Sequence, residues 1–177
     1  MSNGTIHQSF NVLMKLLLKL GDLTRDEIAA RCEREFAADL DTVLEQMESD
    51  RRVIQIRVGG DVRYAAAEDA ARFRDALGVM PPPGLPDAFM ETVKDPLGDL
   101  VSRYARTHVP FQLEDVAARL GIGKAIVHDA LQRLAAKDRV LEGEFLPGGR
   151  GREWCDPEVL RVIKRKSLAR LRKQIEP

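Results

Sequence analysis

A helical hydrophobic pattern opens the chain. Phe10, Leu13, Leu17 and Leu20 recur at spacings of three and four, so they share one face of a helix that Gly21 ends. The sequence therefore predicts an amphipathic helix at the N-terminus.

Two shorter helical patterns follow. Thr24 and Glu27 have the spacing of a capping box, which predicts a second helix that runs to about Cys32. A third pattern covers about residues 39–50. Its inward apolar positions are Leu40, Val43, Leu44 and Met47.

The hydrophobic period then changes from that of a helix to that of a strand. Apolar residues alternate through residues 53–58 and again at Val62 and Tyr64, on either side of Gly59-Gly60. Two such runs around a glycine pair predict a β-hairpin. Three helices followed by a hairpin is the order of a winged helix-turn-helix.

The same order recurs in the second half of the chain. The pattern predicts helices over 96–107, 113–120 and 124–136, with a turn at 121–123, and strands over 140–145 and 152–155. Residues 23–31 match residues 111–119 at an offset of 88, and Tyr64 matches Trp154. We interpret this repetition as a duplication. The predicted fold is mainly α with small β-hairpins (α+β), as two tandem winged helix-turn-helix domains.

The boundaries follow from the segments between the repeats. A helix is expected over 66–77, ended by Gly78, and the proline-rich run 80–86 cannot continue it. Asp156-Pro157-Glu158 is a strong helix start signal. We therefore predict a first winged helix with its trailing helix at 1–79, a linker at 80–95 and a second winged helix with a C-terminal helix at 96–177.

Composition narrows the class of protein. The 177 residues are 44% hydrophobic and carry 28 Lys and Arg against 28 Asp and Glu, which is typical of a globular protein. No apolar run approaches the roughly 18 residues of a membrane helix, and no secretory signal is visible. Cys32 and Cys155 form neither a disulfide framework nor a zinc pattern. The expected location is cytoplasmic, without a membrane partner.

The neutral total hides an uneven distribution of charge. Residues 150–177 contain nine bases and four acids, a net of +5, so the other residues carry −5. Leu160, Ile163, Leu168, Leu171 and Ile175 form one seam along the last helix, which is expected to dock it. The bases there could follow a phosphate backbone or be an ordinary solvated face. They are Arg150, Arg152, Arg161, Lys164, Arg165, Lys166, Arg170, Arg172 and Lys173.

The third helices of the two repeats differ in charge. The first contains no base between its five acids, so phosphates would repel it, and a packing or protein-contact role is expected there. Its acids are Asp39, Asp41, Glu45, Glu48 and Asp50. The second has polar and basic outward positions, which are candidate DNA contacts or a plain polar face. They are Lys124, His128, Gln132, Arg133 and Lys137.

Catalytic signals are weak. Gly121-Ile122-Gly123-Lys124 has neither the glycine spacing nor the Ser or Thr of a phosphate-binding loop. Trp154 and Cys155 are expected in the core. Glu142, Glu144 and Glu153 surround the second hairpin, and a solvated surface is the favoured reading. We therefore predict no catalytic residue, no cofactor and no metal.

Several runs resemble one family in the right order. They are 95–101, 103–108, 140–145, 153–156 and 167–172, with 66–70 and 74–78 before them. They resemble the winged-helix region in the C-terminal part of the bacterial large helicase-related (Lhr) proteins, strongly from about Val53 to Pro177. The resemblance implies a connection with ATP-dependent helicases that translocate on single-stranded DNA and are linked to DNA repair.

The resemblance also has limits. The chain has no nucleotide-binding glycine loop and no DExH-type motif, so no ATPase residue is carried over. The family sequence continues beyond Pro177, and the chain is expected to be part of a longer protein or a truncated relative. The predicted function is a DNA-binding accessory module of such a helicase, with single-stranded or forked DNA and the motor domains, in cis or in trans, as partners. Alternatives are a protein-interaction scaffold, a transcription regulator and a DNA glycosylase-like module.

Overall fold

The computed structural model describes residues 3–149 and 151–175 of the chain. The chain divides into two compact units, residues 1–100 and 101–177. Both units are mainly helical, and each contains one two-stranded antiparallel sheet among its described residues. This agrees with the predicted α+β class.

The first unit begins with four α-helices and continues with a hairpin. The helices are α1 (Asn3–Leu20), α2 (Arg25–Ala29), α3 (Arg34–Ala38) and α4 (Leu40–Ser49), and the strands are β1 (Val53–Val58) and β2 (Asp61–Ala66). Val53 pairs with Ala66 and Val58 with Asp61. Gly59 and Gly60 both have positive φ, 61° and 89°, as the two central residues of a tight hairpin turn require.

The start of α2 confirms the predicted capping box. The backbone N–H of Glu27 donates to Thr24 Oγ1 at 3.2 Å, and the backbone N–H of Thr24 donates to Glu27 Oε2 at 2.8 Å. The predicted end at Cys32 was wrong, because α2 ends at Ala29 and a turn leads into α3. The sequence analysis missed α3, which is only five residues long.

The predicted core positions of the first unit are buried. Helix α4 buries the four apolar residues expected from its pattern, and α1 buries Leu13 and Leu17 completely. These side chains belong to one hydrophobic cluster with Ile28 and Val53. Burial of this kind contributes roughly 1.5–3 kcal/mol for each large aliphatic side chain.

The first unit contains a buried ion pair beside its core. Arg63 on β2 is 4% exposed, and its guanidinium donates to Asp22 at 3.0 Å and to Asp61 at 3.1 Å. Asp22 is 6% exposed, so both partners of the first pair are out of water. Removing Arg63 would leave the buried carboxylate of Asp22 without this ion pair.

The segment after the hairpin differs from its prediction. Ala66 belongs to β2 and Ala67–Asp69 form a 3₁₀ turn, so helix α5 covers only Ala70–Leu77. Gly78 ends it in the left-handed conformation, as expected. A further 3₁₀ turn, Asp87–Met90, was not predicted.

Residues 80–95, predicted as a linker, are bonded to the first unit. The guanidinium of Arg51 donates to the carbonyl of Gly84, and that of Arg74 donates to the carbonyl of Met90 at 3.0 Å. The N–H of Val93 donates to Asp75 at 3.1 Å. The proline-rich run is therefore attached to the unit that precedes it.

The remaining elements follow in the predicted order. They are α6 (Pro96–Thr107), α7 (Leu113–Leu120), α8 (Lys124–Ala135), β3 (Leu141–Gly143), β4 (Glu153–Cys155) and α9 (Pro157–Ile175). The strands are shorter than the predicted ranges. After Gly143 the chain leaves the pairing, because the carboxylate of Glu153 accepts hydrogen bonds from the N–H groups of Phe145 and Leu146 at 2.9 and 3.0 Å.

The two units repeat the same local contacts. Leu23 pairs with Tyr64 through two backbone hydrogen bonds of 2.9 and 2.7 Å, and Phe111 pairs with Trp154 through two of 2.9 and 2.8 Å. The capping box at the start of α2 also has a counterpart 88 residues later, between Gln112 and Asp115.

The turn that follows the helix before each hairpin, α4 or α8, is repeated as well. Arg51 has φ 55° and Asp138 has φ 54°, and these are the described non-glycine residues with positive φ. The backbone N–H of Arg52 then donates to the carbonyl of Met47 at 2.9 Å. In the same way, the backbone N–H of Arg139 donates to the carbonyl of Leu134 at 2.9 Å. The same backbone turn therefore leads from each helix into its hairpin.

Candidate nucleic-acid interface

Helix α8 has one buried face and one polar exposed face. Gly121, with φ 66°, ends α7, and a short turn leads to the first residue of α8, Lys124. The inward side chains are Val127, Ala130, Leu131 and Leu134. The side chains predicted from the sequence as DNA contacts are all exposed on the helix and the turn after it: Lys124, His128, Gln132, Arg133 and Lys137.

Lys124 and His128 contact neighbouring elements of the unit. Lys124 Nζ lies 3.1 Å from Glu114 on α7, an exposed ion pair. The backbone N–H of Glu114 and, second, Lys124 hold the pKa of the Glu114 carboxyl below its ordinary value. The His128 ring stands edge-on to Trp154 with 6.4 Å between centroids. The structure thus turns His128 toward the wing.

The wing adds one base of known position. Arg152 is 77% exposed in its side chain and lies 3.1 Å from Glu142 on the facing strand. Arg150, also predicted as a DNA contact, lies outside the described residues. Glu153 is 3% exposed and holds the wing loop, so it is a structural residue, and the expectation of a solvated surface was wrong for it.

Helix α9 begins as the sequence predicted. Asp156 Oδ1 accepts the N–H of Glu158 at 2.8 Å and that of Val159 at 3.2 Å, which satisfies two otherwise unpaired donors. Every side chain from Lys164 to Lys173 is exposed. The remaining predicted DNA contacts on this helix are therefore accessible: Arg161, Arg165, Lys166, Arg170, Arg172 and Lys173.

The predicted docking of α9 along its whole apolar seam was wrong. Leu160 and Ile163 are half-buried, but Leu168 is 56% and Leu171 53% exposed. The side chain of Ile175 lies outside the described residues. Helical periodicity identifies residues that share a face, and it does not say whether that face has a partner.

Helix α4, which the sequence predicted as the third helix of the first repeat, is acidic, and one of its carboxylates pairs with a base of the same unit. Arg25 binds Asp41 with two hydrogen bonds, of 2.7 and 2.8 Å. The Arg25 guanidinium holds the pKa of Asp41 below its ordinary value. Burial raises the pKa of Glu48, which accepts a hydrogen bond from Gln55 at 3.2 Å. No base stands on α4 beside these carboxylates.

One residue of the exposed face escaped the sequence analysis. Ile126, in the first turn of α8, is 54% exposed, although an apolar residue in a helix is usually assigned to the core. Val127, Leu131 and Leu134 define the buried stripe, and Ile126 lies off it. A helical wheel of α8 contains the signal that would have identified it.

The two residues that end the second hairpin lie in the core. Trp154 is 2% and Cys155 0% exposed, which confirms the prediction that they are core residues. Burial raises the pKa of the Cys155 thiol to about 11. Over residues 3–149 and 151–175 no cluster of His, Cys, Asp and Glu is suited to a metal ion, and no helix is long and apolar enough to cross a membrane.

Helices followed by a two-stranded wing, with an exposed third helix before the wing, define a winged-helix protein. Residues 5–92 match the family described as large helicase-related protein, winged-helix domain. The chain belongs to this large helicase-related (Lhr) family.

Two relatives share sequence with most of the chain. It is 43% identical over 162 residues to the Lhr helicase/probable uracil glycosylase of Mycolicibacterium smegmatis, and 33% identical over 167 residues to the Lhr helicase/uracil glycosylase of Escherichia coli. These matches cover 92% and 93% of this chain, but 11% and 10% of the relatives. The chain therefore spans about a tenth of their length.

A solved structure, the DIP2311 protein from Corynebacterium diphtheriae, also matches at low similarity. The match covers 84% of this chain and 26% of that protein, at 17% identity and a TM-score of 0.36. A similarity of that size carries no argument about fold or function.

Proposed function

We propose that the chain is a tandem winged-helix DNA-binding module that serves an Lhr-type helicase acting in DNA repair, without an ATPase motor of its own. The observation that carries the proposal is the exposed basic surface of α9, from Arg161 to Lys173. Basic side chains in water bind phosphates and release counterions, which drives association with nucleic acid.

The tandem arrangement is supported by the repeated contacts. A backbone bridge, a capping box and a left-handed residue each occur twice, at offsets between 87 and 90 along the chain. Such coincidence of unrelated features favours a duplicated unit. The first copy lies within the family match at residues 5–92, and the second copy follows it.

The division of charge supports a DNA contact on the second unit. Residues 101–177 contain 16 bases and 10 acids, a net of +6, whereas residues 1–100 contain 12 bases and 18 acids, a net of −6. Helix α8 and the wing of the same unit also carry exposed bases. The first unit, with its acidic α4, would pack against neighbouring domains.

The DNA class and the partners follow from the relatives. Both are named helicases, and helicases act where duplex and single strands meet. Single-stranded or forked DNA is therefore the expected ligand, in preference to a specific duplex site. The motor domains would be supplied in cis or in trans.

A salt titration of DNA binding tests the proposal. If four to six phosphates are contacted, log affinity falls with log salt concentration with a slope of about −4 to −5. Fluorescence anisotropy with labelled single-stranded, duplex and forked oligonucleotides measures this slope. Salt-insensitive or absent binding to all three would overturn the proposal.

A charge-matched pair of variants locates the surface. Replacing Arg165, Lys166, Arg170 and Lys173 with Gln should reduce the magnitude of the slope by about three to four. The control replaces four exposed bases of the first unit with Gln and changes the net charge equally: Lys15, Lys19, Arg31 and Lys94. It should retain the wild-type slope, and an equal loss in both variants would contradict the assignment to α9.

A second candidate function is a protein-interaction scaffold. Leu168 and Leu171, exposed on α9, are the observation that favours it, because paired exposed leucines on a helix are typical of docking surfaces. The acidic α4 adds a surface that phosphates would repel. A stable partner that co-purifies with a chain lacking DNA affinity would support the scaffold over the DNA-binding module.

The glycosylase activity in the names of the relatives belongs to proteins about ten times longer. In this chain Glu142 pairs with Arg152 and Glu153 holds the wing loop, so both carboxylates have structural uses. Incubation with uracil-containing DNA tests the activity directly. Release of uracil by this chain would overturn the non-enzymatic proposal.

A further inference from the structure

The second half of α9 presents an apolar surface to solvent. Leu168 and Leu171, 56% and 53% exposed, are three residues apart and so share one side of the helix. Leu160 and Ile163, in the first half, are half-buried. The helix is thus held at its start, and the leucine pair, Leu168 and Leu171, lies beyond the part that contacts the unit.

Basic side chains flank the leucine pair. The ten residues from Lys164 to Lys173 include six bases and no acid, and every side chain among them is exposed. Lys164, Arg165 and Arg172 lie four, three and four residues from Leu168, the spacings at which side chains on a helix are neighbours. A surface that covers the leucine pair therefore meets positive charge on its flank, and carboxylates there would complement it.

A second copy of this chain does not supply such a surface. Besides α9, the helix with two large exposed apolar residues among the described side chains is α1, with Val12 and Leu18. It carries Lys15 and Lys19 and contains no acid, so its pairing with α9 would place like charges together. The same holds for a pair of α9 helices. Helix α4 is acidic, but its apolar side chains are buried and it offers the leucines no apolar contact.

The bases of α9 do not all lie on the leucine side. Lys166, Arg170 and Lys173 recur at spacings of four and three, so they form a second stripe. Lys166 and Arg170 each lie two residues from Leu168, a spacing at which side chains do not face each other. A partner on the leucine pair therefore leaves this second stripe accessible to phosphates, whereas phosphates alone would leave the leucines in water.

We propose that the leucine pair and its flanking bases bind an acidic amphipathic helix of a partner protein. The apolar residues of that helix would lie on Leu168 and Leu171, and its carboxylates beside Lys164, Arg165 and Arg172. Paired helices combine an apolar seam with rows of opposite charge in this way. Two half-exposed leucines cover far less than the roughly 800 Å² per partner of a standard stable interface, so the complex is weak and depends on the charges.

A labelled acidic peptide tests the proposal. The probe is a peptide of about three heptads with Ile and Leu along one side and Glu flanking them, and fluorescence anisotropy with the wild-type chain at low salt measures its affinity. Leu168→Gln with Leu171→Gln should weaken binding on the order of tenfold, because the apolar contact is lost. Lys164→Gln with Arg165→Gln and Arg172→Gln should also weaken it and make the remaining binding less sensitive to salt.

Matched controls separate this surface from other exposed residues. Val12→Gln with Leu18→Gln removes two exposed apolar side chains that lie six residues apart and do not form a pair, so it should bind as the wild type does. Lys166→Gln with Arg170→Gln and Lys173→Gln removes three bases from the second stripe and should retain most of the affinity. The same peptide with Lys in place of each Glu should not bind.

The outcomes distinguish this inference from the proposed function, because it goes beyond DNA binding and does not rest on it. Wild-type affinity in the leucine variant, or equal losses in the two charge variants, would overturn it. A dimer of the chain that the leucine variant abolishes, measured by sedimentation, would also overturn it, because the occupant would then be a second copy. A chain that binds DNA but not the peptide would overturn this inference alone, and one that binds the peptide but no DNA would overturn only the proposed function.

Discussion

The two units share one backbone plan and carry opposite charge. Each has the bridge from a short extended segment to the second wing strand, the capped second helix and the left-handed residue after the third helix. Yet residues 1–100 have a net charge of −6 and residues 101–177 a net of +6. The shared backbone features therefore depend on apolar and capping residues. The exposed charged residues can differ between the two units without disturbing these features.

Charge differs even at one matched pair of buried positions in the two units. Tyr64 and Trp154 are equivalent, so the residues before them, Arg63 and Glu153, are equivalent too. Both are buried, at 4% and 3% exposure. Arg63 binds the carboxylate of Asp22, whereas Glu153 binds the backbone of its own wing loop. The side chain at this position therefore binds a different part of the chain in each unit: Asp22 in the first and the wing loop in the second.

The largest expected effect is at this buried position. Arg63→Met should lower the free energy of unfolding by about 3–5 kcal/mol, because the buried carboxylate of Asp22 loses its ion pair with Arg63. Urea denaturation measures the change. Adding Asp22→Asn removes the buried negative charge and should restore much of the loss, and a double variant no more stable than the single one would contradict the account.

The equivalent change in the second unit should have a smaller effect. The N–H groups of Phe145 and Leu146 both donate to one carboxylate oxygen, Glu153 Oε2, so Glu153→Gln replaces a charged acceptor with a neutral one and a loss of about 1–3 kcal/mol is expected. The same urea denaturation serves for comparison with Arg63→Met. A loss that equals that of Arg63→Met would show that the two positions are not used differently.

The third helices allow a core comparison at matched positions. Leu44 and Leu131, 87 residues apart, are 1% and 0% exposed. Truncation of either to Ala should lower the free energy of unfolding by about 2–5 kcal/mol through lost burial and the cavity left behind. Neither is a candidate DNA contact. A loss below about 1 kcal/mol at one position only would break the equivalence of the two helices.

Most of the helices and turns could be predicted from the sequence, because local residue patterns determine them. The apolar stripe of α4, the Thr24 cap and the Gly59-Gly60 turn are local signals, and the structure confirms all three. The exposure of Leu168 and Leu171 depends on what lies across from α9, which no local pattern encodes. The same holds for the burial of Glu153, because it requires the tertiary fold.

The outward faces of the third helices differ in their expected response to DNA. Arg133→Gln with Lys137→Gln should reduce the magnitude of the salt slope by about two and weaken binding about tenfold. The comparison is Glu45→Gln with Asp50→Asn on and after α4, where no phosphate contact is expected and the slope should not change. A change of slope in this second variant would place the first unit on the DNA as well.

The ion pair between α7 and α8 should weaken DNA binding slightly. Lys124 shares its charge with Glu114 at 3.1 Å, and both side chains are exposed. Glu114→Gln removes a negative charge from the basic surface and releases Lys124 toward a phosphate, so affinity should rise about twofold, as expected for an exposed pair. Anisotropy at low salt measures it. Weaker binding by this variant would mean that Glu114 positions Lys124 for DNA.

The smallest effect is expected in the acid titration of Asp41 and Glu114. Each of these carboxyls forms an ion pair with a base on another helix. The pKa of Asp41 is lowered chiefly by Arg25, whereas that of Glu114 is lowered first by its backbone N–H and only then by Lys124. A carboxyl with a lowered folded pKa stabilises the fold above its unfolded pKa of about 4, and this contribution is lost as the pH falls through the folded value.

Removing each base therefore separates the two causes. Arg25→Gln should return the pKa of Asp41 toward its ordinary value, because the side-chain hydrogen bond that lowers it is gone. Lys124→Gln should leave the pKa of Glu114 still lowered, since its backbone hydrogen bond remains. Carboxyl chemical shifts followed by NMR between about pH 6 and pH 2 measure both. A full return of Glu114 to its ordinary value in Lys124→Gln would show that the ion pair, and not the start of α7, controls this carboxyl.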